Sequence, residues 1–378
     1  MNGGDNSSAH PDYIELALTN NVYEDHTCCV VIAKDSYLSA NADASARFLR
    51  AYIEGVNYLN DALAGDAAKY QTVLNVAKEQ LSSTGITEAE IEAAMDNITY
   101  LYADAGNNLN TLKAQIGTLY DDLAALNVFT GTATKSQVQD NLVNGDTLAA
   151  ALALGTSSSE PVANVKVCVI AGDVHQIALH VANSLGFFTN YHISVTVKSA
   201  AAGGGVASMV MLDSDEGADF GLLGAPPATI NTVNKNLIPG TGTAEGAKYT
   251  IISRVNSEGS GLYIDKKCVD ADSIASGKLT RNGVRFFTDS FAVSSDNAAA
   301  WGGLVFATPG MQSIQHIQLS KLAADMGMQF VAYNENVSVE NDKLYFVAGL
   351  SDSVKVFNNT HINGGIIWEP QYQRIITE

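Results

Sequence analysis

A chain of 378 residues that is 46% hydrophobic and 16% charged is long and apolar enough for two globular lobes, each with its own core, which excludes a disordered chain. A net charge of −19 leaves no basic stripe to displace counterions, so nucleic acid and anionic membrane surfaces are excluded as expected partners. No stretch has the length and apolarity of a membrane span, and the opening MNGGDNSSAHPD lacks the pattern of a signal peptide.

Near the amino terminus, Thr27-Cys28-Cys29-Val30-Val31-Ile32-Ala33 reads as a strand whose period of two predicts the adjacent thiols on opposite faces. The four cysteines, Cys28, Cys29, Cys168 and Cys268, show no metal-ligand spacing and are expected to pack as small hydrophobes, with disulfides left open. Asn-x-Ser/Thr triplets at Asn6, Asn97, Asn336 and Asn358 permit an extracellular setting without requiring one. From Ser39 to about Ala64 the spacing predicts a helix with Phe48, Tyr52, Val56 and Leu59 on one face. A second helix begins at Thr87, where Thr87 and Glu90 form a capping box ahead of Ile91 and Met95. A third runs from about Asn108 to Leu126 on the stripe Leu112, Ile116, Leu119 and Leu123. Residues 39–155 are therefore expected to be almost wholly helical. The junction from Gly155 to Pro161 is expected to be a polar linker that joins units without packing between them.

From Val165 to Pro227, three strand-like segments each end in a short polar or glycine-bearing loop that leads into a helix. VKVCVIA is followed by Gly172-Asp173-Val174-His175-Gln176 and IALHVANSLGFF, and ISVTVKSA by Ala202 to Gly205 and VASMVML. ADFGLLG is followed by Ala225-Pro226-Pro227. Such alternation predicts a parallel sheet that holds ligands at the carboxyl ends of its strands. Farther on, YTIISR reads as a strand, Ser257 to Gly261 as a flexible joint, and GLYIDKK as a strand crossing into a second lobe. That lobe continues with GLVFATP, whose loop Gly310-Met311-Gln312-Ser313 opens a helix through Ile314, Ile317, Leu319 and Leu322. It closes with NGGIIWEP and an amphipathic segment from Gln371 to Ile376.

The segments VCVIAGDVHQIALHVANSLGFF, GADFGLLGAPPATI, FATPGMQSIQH, GGIIWEPQ and HTCCVVIAKDSYLSANADASARFLRAYIEG together cover most of the chain. In them it resembles the substrate-binding proteins of ABC importers, in the nitrate, sulfonate, taurine and thiamine-precursor group. The resemblance implies an α/β, two-lobed periplasmic-binding-protein type II (Venus-flytrap) fold. In that family the GDVHQ-like unit comes first and the TCCVVIA strand follows the WEP segment, whereas here the TCCVVIA strand opens the chain. Placing Glu378 before Asn2 restores the family order, so a circular permutation is expected, with the Ser-rich junction at residues 155–161 resembling the family's membrane tether. Lobe 1 is then expected over residues 30–255, comprising the helical segment 39–155, the linker 155–161 and the βα units 162–255. Lobe 2 is expected over residues 256–378 plus 1–29, with hinges near Ser253 to Gly261 and near Thr27.

The strand-to-helix loops present backbone N–H groups and the positive ends of helix dipoles, which suit an acidic head group. Gly203, Gly204, Gly205 and Gly310 allow close backbone approach. His175 and Gln176 are candidate hydrogen-bonding residues, Asp173 is either a contact or a helix cap, and Ala225 and Pro226 line the third loop. Across the cleft stand Ser313, Gln315 and Trp368, whose ring can stack on a ligand or serve the core. Glu369 at the same strand end would repel an anion, so it is either turned away or meets a positive or hydrogen-bond-donating group. The resemblance brings His26 near the same region. Arg254, Arg281, Arg285 and Arg374 could clamp a sulfonate, yet none lies in these loops.

The expected function is that of a solute-binding protein that captures a small organic solute, such as a sulfonate, a zwitterion or a heteroaromatic compound. No cofactor, no metal and no enzymatic activity are expected. In the native context the resemblance implies a membrane permease of ABC type as partner, an extracellular or periplasmic membrane-tethered location, and a monomer. Two alternatives stay open: an assembly protein or sensor scaffold on the same fold, and, with less weight, a thiamine-precursor enzyme. The cysteine-rich run of that enzyme branch is here only the pair Cys28 and Cys29.

Overall fold

The computed structural model describes residues 12–200, 204–214, 217–237 and 249–378. In chain order its strands are β1 (Tyr13–Leu18), β2 (Thr27–Lys34), β3 (Ile98–Tyr100), β4 (Ala163–Ile170), β5 (Ile193–Ala200), β6 (Phe220–Gly224) and β7 (Tyr249–Glu258). They continue with β8 (Ser260–Asp265), β9 (Thr280–Arg281), β10 (Val284–Arg285), β11 (Val305–Thr308), β12 (Gln329–Ala332), β13 (Lys343–Ala348) and β14 (Gly364–Trp368). Apart from the small β9–β10 ribbon they form two six-stranded sheets, β3-β7-β2-β6-β4-β5 and β1-β8-β14-β11-β13-β12, within a mixed α/β chain.

The two sheets repeat one arrangement. In the first, β5, β4 and β6 run parallel, β2 is antiparallel to β6, and β7 is antiparallel to β2. In the second, β13, β11 and β14 run parallel, β8 is antiparallel to β14, and β1 is antiparallel to β8. In each sheet the strand that the chain enters on crossing from the other sheet, β2 or β8, runs against the parallel strands beside it. One crossing follows β1 through residues 19–26 into β2, and the second turns at Gly259 between β7 and β8. The crossings touch, since the Glu258 N–H donates to the His26 carbonyl at 3.1 Å and the Thr19 hydroxyl to the Ser260 carbonyl at 2.9 Å.

Burial explains why these residues take these places. β2 is buried along almost its whole length because helices cover both faces of its sheet. On one face the Ala42–Leu63 helix buries Phe48, Tyr52, Val56 and Leu59 completely, and Phe48 stacks on Phe220 and Phe188 with ring centroids 4.4 and 5.4 Å apart. That helix crosses the Ile177–Ser184 helix so closely that a side chain at Gly55 would place its Cβ 2.8 Å from Ala182 Cβ. In the second sheet, Phe306, Leu262 and Ile366 point to a core around Trp301. Their neighbours Val305, Tyr263 and Ile367 point to a second core that includes Tyr345 and Tyr372. The strand period of two thus builds two cores from one sheet.

Three expectations need correction. The helix Ala67–Leu81 stands where the sequence pattern singles out none, because its apolar stripe of Val73, Leu74, Ala77 and Leu81 is short; Asp66 caps it by accepting from the Lys69 N–H. The region 39–155 is mostly rather than almost wholly helical, since β3 pairs with β7 and closes one edge of the first sheet. Residues 155–161 are not a free linker either: they connect the Asp146–Ala153 helix to β4 within one sheet's layer, and they are tied down there. The Ser158 N–H donates to Asn190 O at 3.1 Å, and Arg47 donates to Pro161 O at 3.3 Å. The capping box at Thr87 and Glu90 is present as expected.

Beside the crossings lies a buried ion pair, Arg254 Nη1 to Asp104 Oδ1 at 2.9 Å. Asp104 also accepts the Thr111 and Leu112 N–H groups that open the Asn110–Ala125 helix, at 2.7 and 3.1 Å. Arg254 Nη2 adds Ser257 Oγ at 2.7 Å and Asp25 at 3.3 Å. Arg254→Met leaves Asp104 buried beside fewer donors, and unfolding by denaturant should show a loss of about 3 kcal/mol. A loss below about 1 kcal/mol would contradict this role.

Candidate functional site

The carboxyl ends of β4, β6, β11, β13 and β14 converge on a cleft of about 270 Å³ between the two sheets. From the first sheet's side come Ile170, Asp173 and His175 after β4, Gly205 and Val206, Gly224 and Pro227 after β6, and Cys28 and Cys29 of β2. The second sheet contributes the loop from Pro309 to Gln315, Ser351 and Trp368. Crevices at carboxyl ends of parallel strands are where open α/β sheets hold ligands.

His175 stands in this wall with both ring nitrogens spent. Nδ1 lies 2.6 Å from Asp173 Oδ1 and Nε2 lies 2.9 Å from the Gly259 carbonyl. Both partners only accept, so both nitrogens carry protons and the ring is an imidazolium. Burial alone would lower its pKa; the Asp173 carboxylate, with Cys28 and Glu369 behind it, outweighs burial and raises it to about 9. Asp173 also caps the turn by accepting the His175 N–H at 2.8 Å, the structural role weighed for it beside a ligand contact.

The other expected residues divide. Ser313 lines the cleft while capping the Ile314–Asp325 helix, and Gln315 lines it while donating from Nε2 to Ser260 Oγ at 2.8 Å. Trp368 lines it half-buried, against the core that holds Tyr372. Gln176 does not reach the cleft: it is fully buried, accepts from the Ile170 N–H at 2.9 Å and donates to Asp173 at 3.3 Å. Glu369 is turned away. It too is fully buried, and its Oε1 accepts from Asn97 Nδ2 at 2.8 Å and Gln373 Nε2 at 2.9 Å. Burial raises its pKa to about 7 against the pull of those two donors. Gly204 opens the Gly204–Asp213 helix beside the lining residue Gly205, and Gly203 lies outside the described residues. Pro226 lies in neither cavity wall among those described; its neighbour Pro227 takes the place in the cleft.

Ala225 and His26 belong to a second cavity of about 260 Å³, between the Asn110–Ala125 and Ile314–Asp325 helices. His26 places Nδ1 2.6 Å from the Tyr23 carbonyl, and burial lowers its pKa to about 4, so it is neutral.

The cysteines depart furthest from expectation. The register of β2 against β7 slips on both sides of Cys29, and this bulge brings the thiols together, Sγ to Sγ 3.7 Å, in the cleft wall. Hydrogen bonding from Cys29 holds the Cys28 thiol below its ordinary pKa, and Cys29 is raised in turn. All four cysteines are free. Cys28, His175 and Asp173 are the residue types of a nucleophilic triad, but His175 Nε2 donates to Gly259 and not to sulfur, so base and nucleophile are not joined here.

Among the described residues no Lys or Arg lines the cleft. The four candidate arginines are engaged elsewhere: Arg254 as above, Arg281 on the carbonyls of Ala300 and Gly302, Arg285 on Asp289, and Arg374 on Glu378. No group of three or more His, Cys, Asp or Glu among the described residues is placed to hold a metal ion, and no helix among them is long and apolar enough to cross a membrane. No family model, curated protein or solved structure matches the chain.

His175 also sets a pH dependence. Its folded pKa of about 9 exceeds the ordinary 6.5, so its stabilising contribution is complete below about pH 6.5 and disappears as pH rises toward 9. Thermal unfolding should show the wild-type Tm falling between pH 7 and 9, a loss on the order of 2–3 kcal/mol, and His175→Gln flattening that slope. Equal slopes in both proteins would contradict the imidazolium assignment.

Proposed function

We propose that the chain is a solute-binding protein with a two-lobed, Venus-flytrap fold of periplasmic-binding-protein type II, which closes its lobes over one small organic molecule. The observation that carries this reading is the cleft itself, walled by loops at the carboxyl ends of strands from both sheets. The two crossings, through residues 19–26 and at Gly259, supply the hinge about which one lobe can rotate over the other. Closure is favoured only to the extent that the solute makes more contacts in the closed form.

The wall's chemistry narrows the solute. Among the described residues its one cation, His175, is neutralised by Asp173, and apolar groups from Ile170, Val206, Pro227, Ile314 and Trp368 dominate the rest. An uncharged or weakly cationic molecule with a flat or aliphatic body fits this wall better than a sulfonate, which would go uncompensated by any arginine. In the native setting such a protein delivers its solute to an ABC-type membrane permease.

Strand order supports a circular permutation. β1 is the counterpart of β7, yet β7 follows the Ala225–Asn234 helix in sequence, whereas β1 precedes its own counterpart helix, Gln371–Thr377. The two pieces still meet in space, with Tyr372 Oη donating to Glu15 Oε2 at 2.8 Å.

Native mass spectrometry of protein purified without denaturation should show a carried-over small molecule. Trp368→Ala should weaken its rebinding at least tenfold, about 1.4 kcal/mol, with little change in Tm. Unchanged affinity with a lowered Tm would assign Trp368 to the core and count against the cleft as the binding site.

A further inference from the structure

Adjacent residues of a regular strand cannot direct their side chains to one place, because successive side chains point to opposite faces. Cys28 and Cys29 do so only because β2 bulges at Cys29, and the result is two thiols 3.7 Å apart, close enough for a single atom to bridge. Both are free, both are buried at 4% and 3% exposure, and both face the cleft. The other two cysteines stand apart: Cys168 donates to the Ser208 carbonyl at 3.6 Å, and Cys268 lies in the second lobe.

A soft acceptor that needs four protein ligands, such as zinc, finds only two here, and no third His, Cys, Asp or Glu completes a set among the described residues. A trivalent arsenic atom that already carries one organic group needs two. The space beside the sulfurs suits that group, since the cleft of about 270 Å³ is walled by Ile170, Val206, Pro227 and Trp368. We propose that Cys28 and Cys29 form a dithiol site in the cleft that captures monosubstituted trivalent arsenicals. With an arsenoso compound, R–As=O, two As–S bonds form, both thiol protons and the arsenic-bound oxygen leave as one water, and arsenic stays trivalent. No oxidant or reductant is consumed. The hydrogen bond from Cys29 that favours the Cys28 thiolate gives the first sulfur its nucleophilicity. This site goes beyond the solute reading and does not depend on it, because capture requires only thiols and access from the cleft.

The test uses phenylarsine oxide on the folded, reduced chain, read by intact mass spectrometry. The expected result is one phenylarsenic adduct per chain with loss of one water, removed by excess 2,3-dimercaptopropanol. Cys28→Ser and Cys29→Ser should each abolish the stable adduct while keeping the wild-type circular dichroism spectrum, and Cys168→Ser and Cys268→Ser should retain it. An adduct that persists in the Cys28→Ser, Cys29→Ser double variant, or one that forms only after denaturation, would overturn the proposal. Because the readout is covalent stoichiometry, its failure leaves the binding of a carried-over solute untouched, and failure to find a solute leaves it untouched in turn.

Discussion

The carbonyl of Gly259 is the atom at which the two sheets are fastened to one crossing. It accepts the His175 Nε2–H at 2.9 Å from the first loop of one sheet and the Glu369 N–H at 3.0 Å from the last strand of the other. Gly259 itself sits at φ +84°, between β7 and β8, where any side chain would strike the His175 ring. A buried carbonyl without a donor costs about 1–3 kcal/mol, so each half holds the crossing in place by satisfying the same atom. Asp173 makes the arrangement durable by keeping His175 doubly protonated.

The consequence reaches the cleft directly. His175 forms part of the wall but is buried and has no proton or lone pair left to offer a ligand, and its charge is balanced inside the wall. What the wall offers a solute is apolar surface, a half-buried indole, two thiols and the uncharged polar groups of Gln312, Ser313 and Ser351. A wall of this kind selects by shape and by stacking more than by charge. Glu369 and Gln176 serve that wall from behind, as fully buried groups that fix the strand end and the first loop.

Much of the fold was legible from period and punctuation. The three βα units between Val165 and Pro227 announce themselves by strand runs ending in loops, and the Thr87 capping box by its spacing. The Ala42–Leu63 helix shows its buried face in four residues. What could not be read depends on contacts between distant segments. The bulge at Cys29 arises from pairing with β7, more than two hundred residues away, so period two misplaced the thiols. His175, Gln176 and Glu369 were credible ligand residues because they are polar and flank loops; only the positions of Gly259, Asp173 and Asn97 reveal that their hydrogen bonds are spent internally. Of the twelve candidate residues, those whose neighbours are local, Ser313 and Trp368 among them, fell where their loops placed them.

The central claim is that two lobes close over a solute about the Gly259 crossing, and small-angle X-ray scattering tests it most directly. Protein stripped of bound small molecules by mild denaturation and refolding is compared before and after return of the released small-molecule fraction. The account predicts a reversible fall in the radius of gyration on adding that fraction, and no fall in a Gly259→Val variant that still folds. A radius unchanged by the fraction, in protein that demonstrably rebinds a molecule from it, would contradict closure.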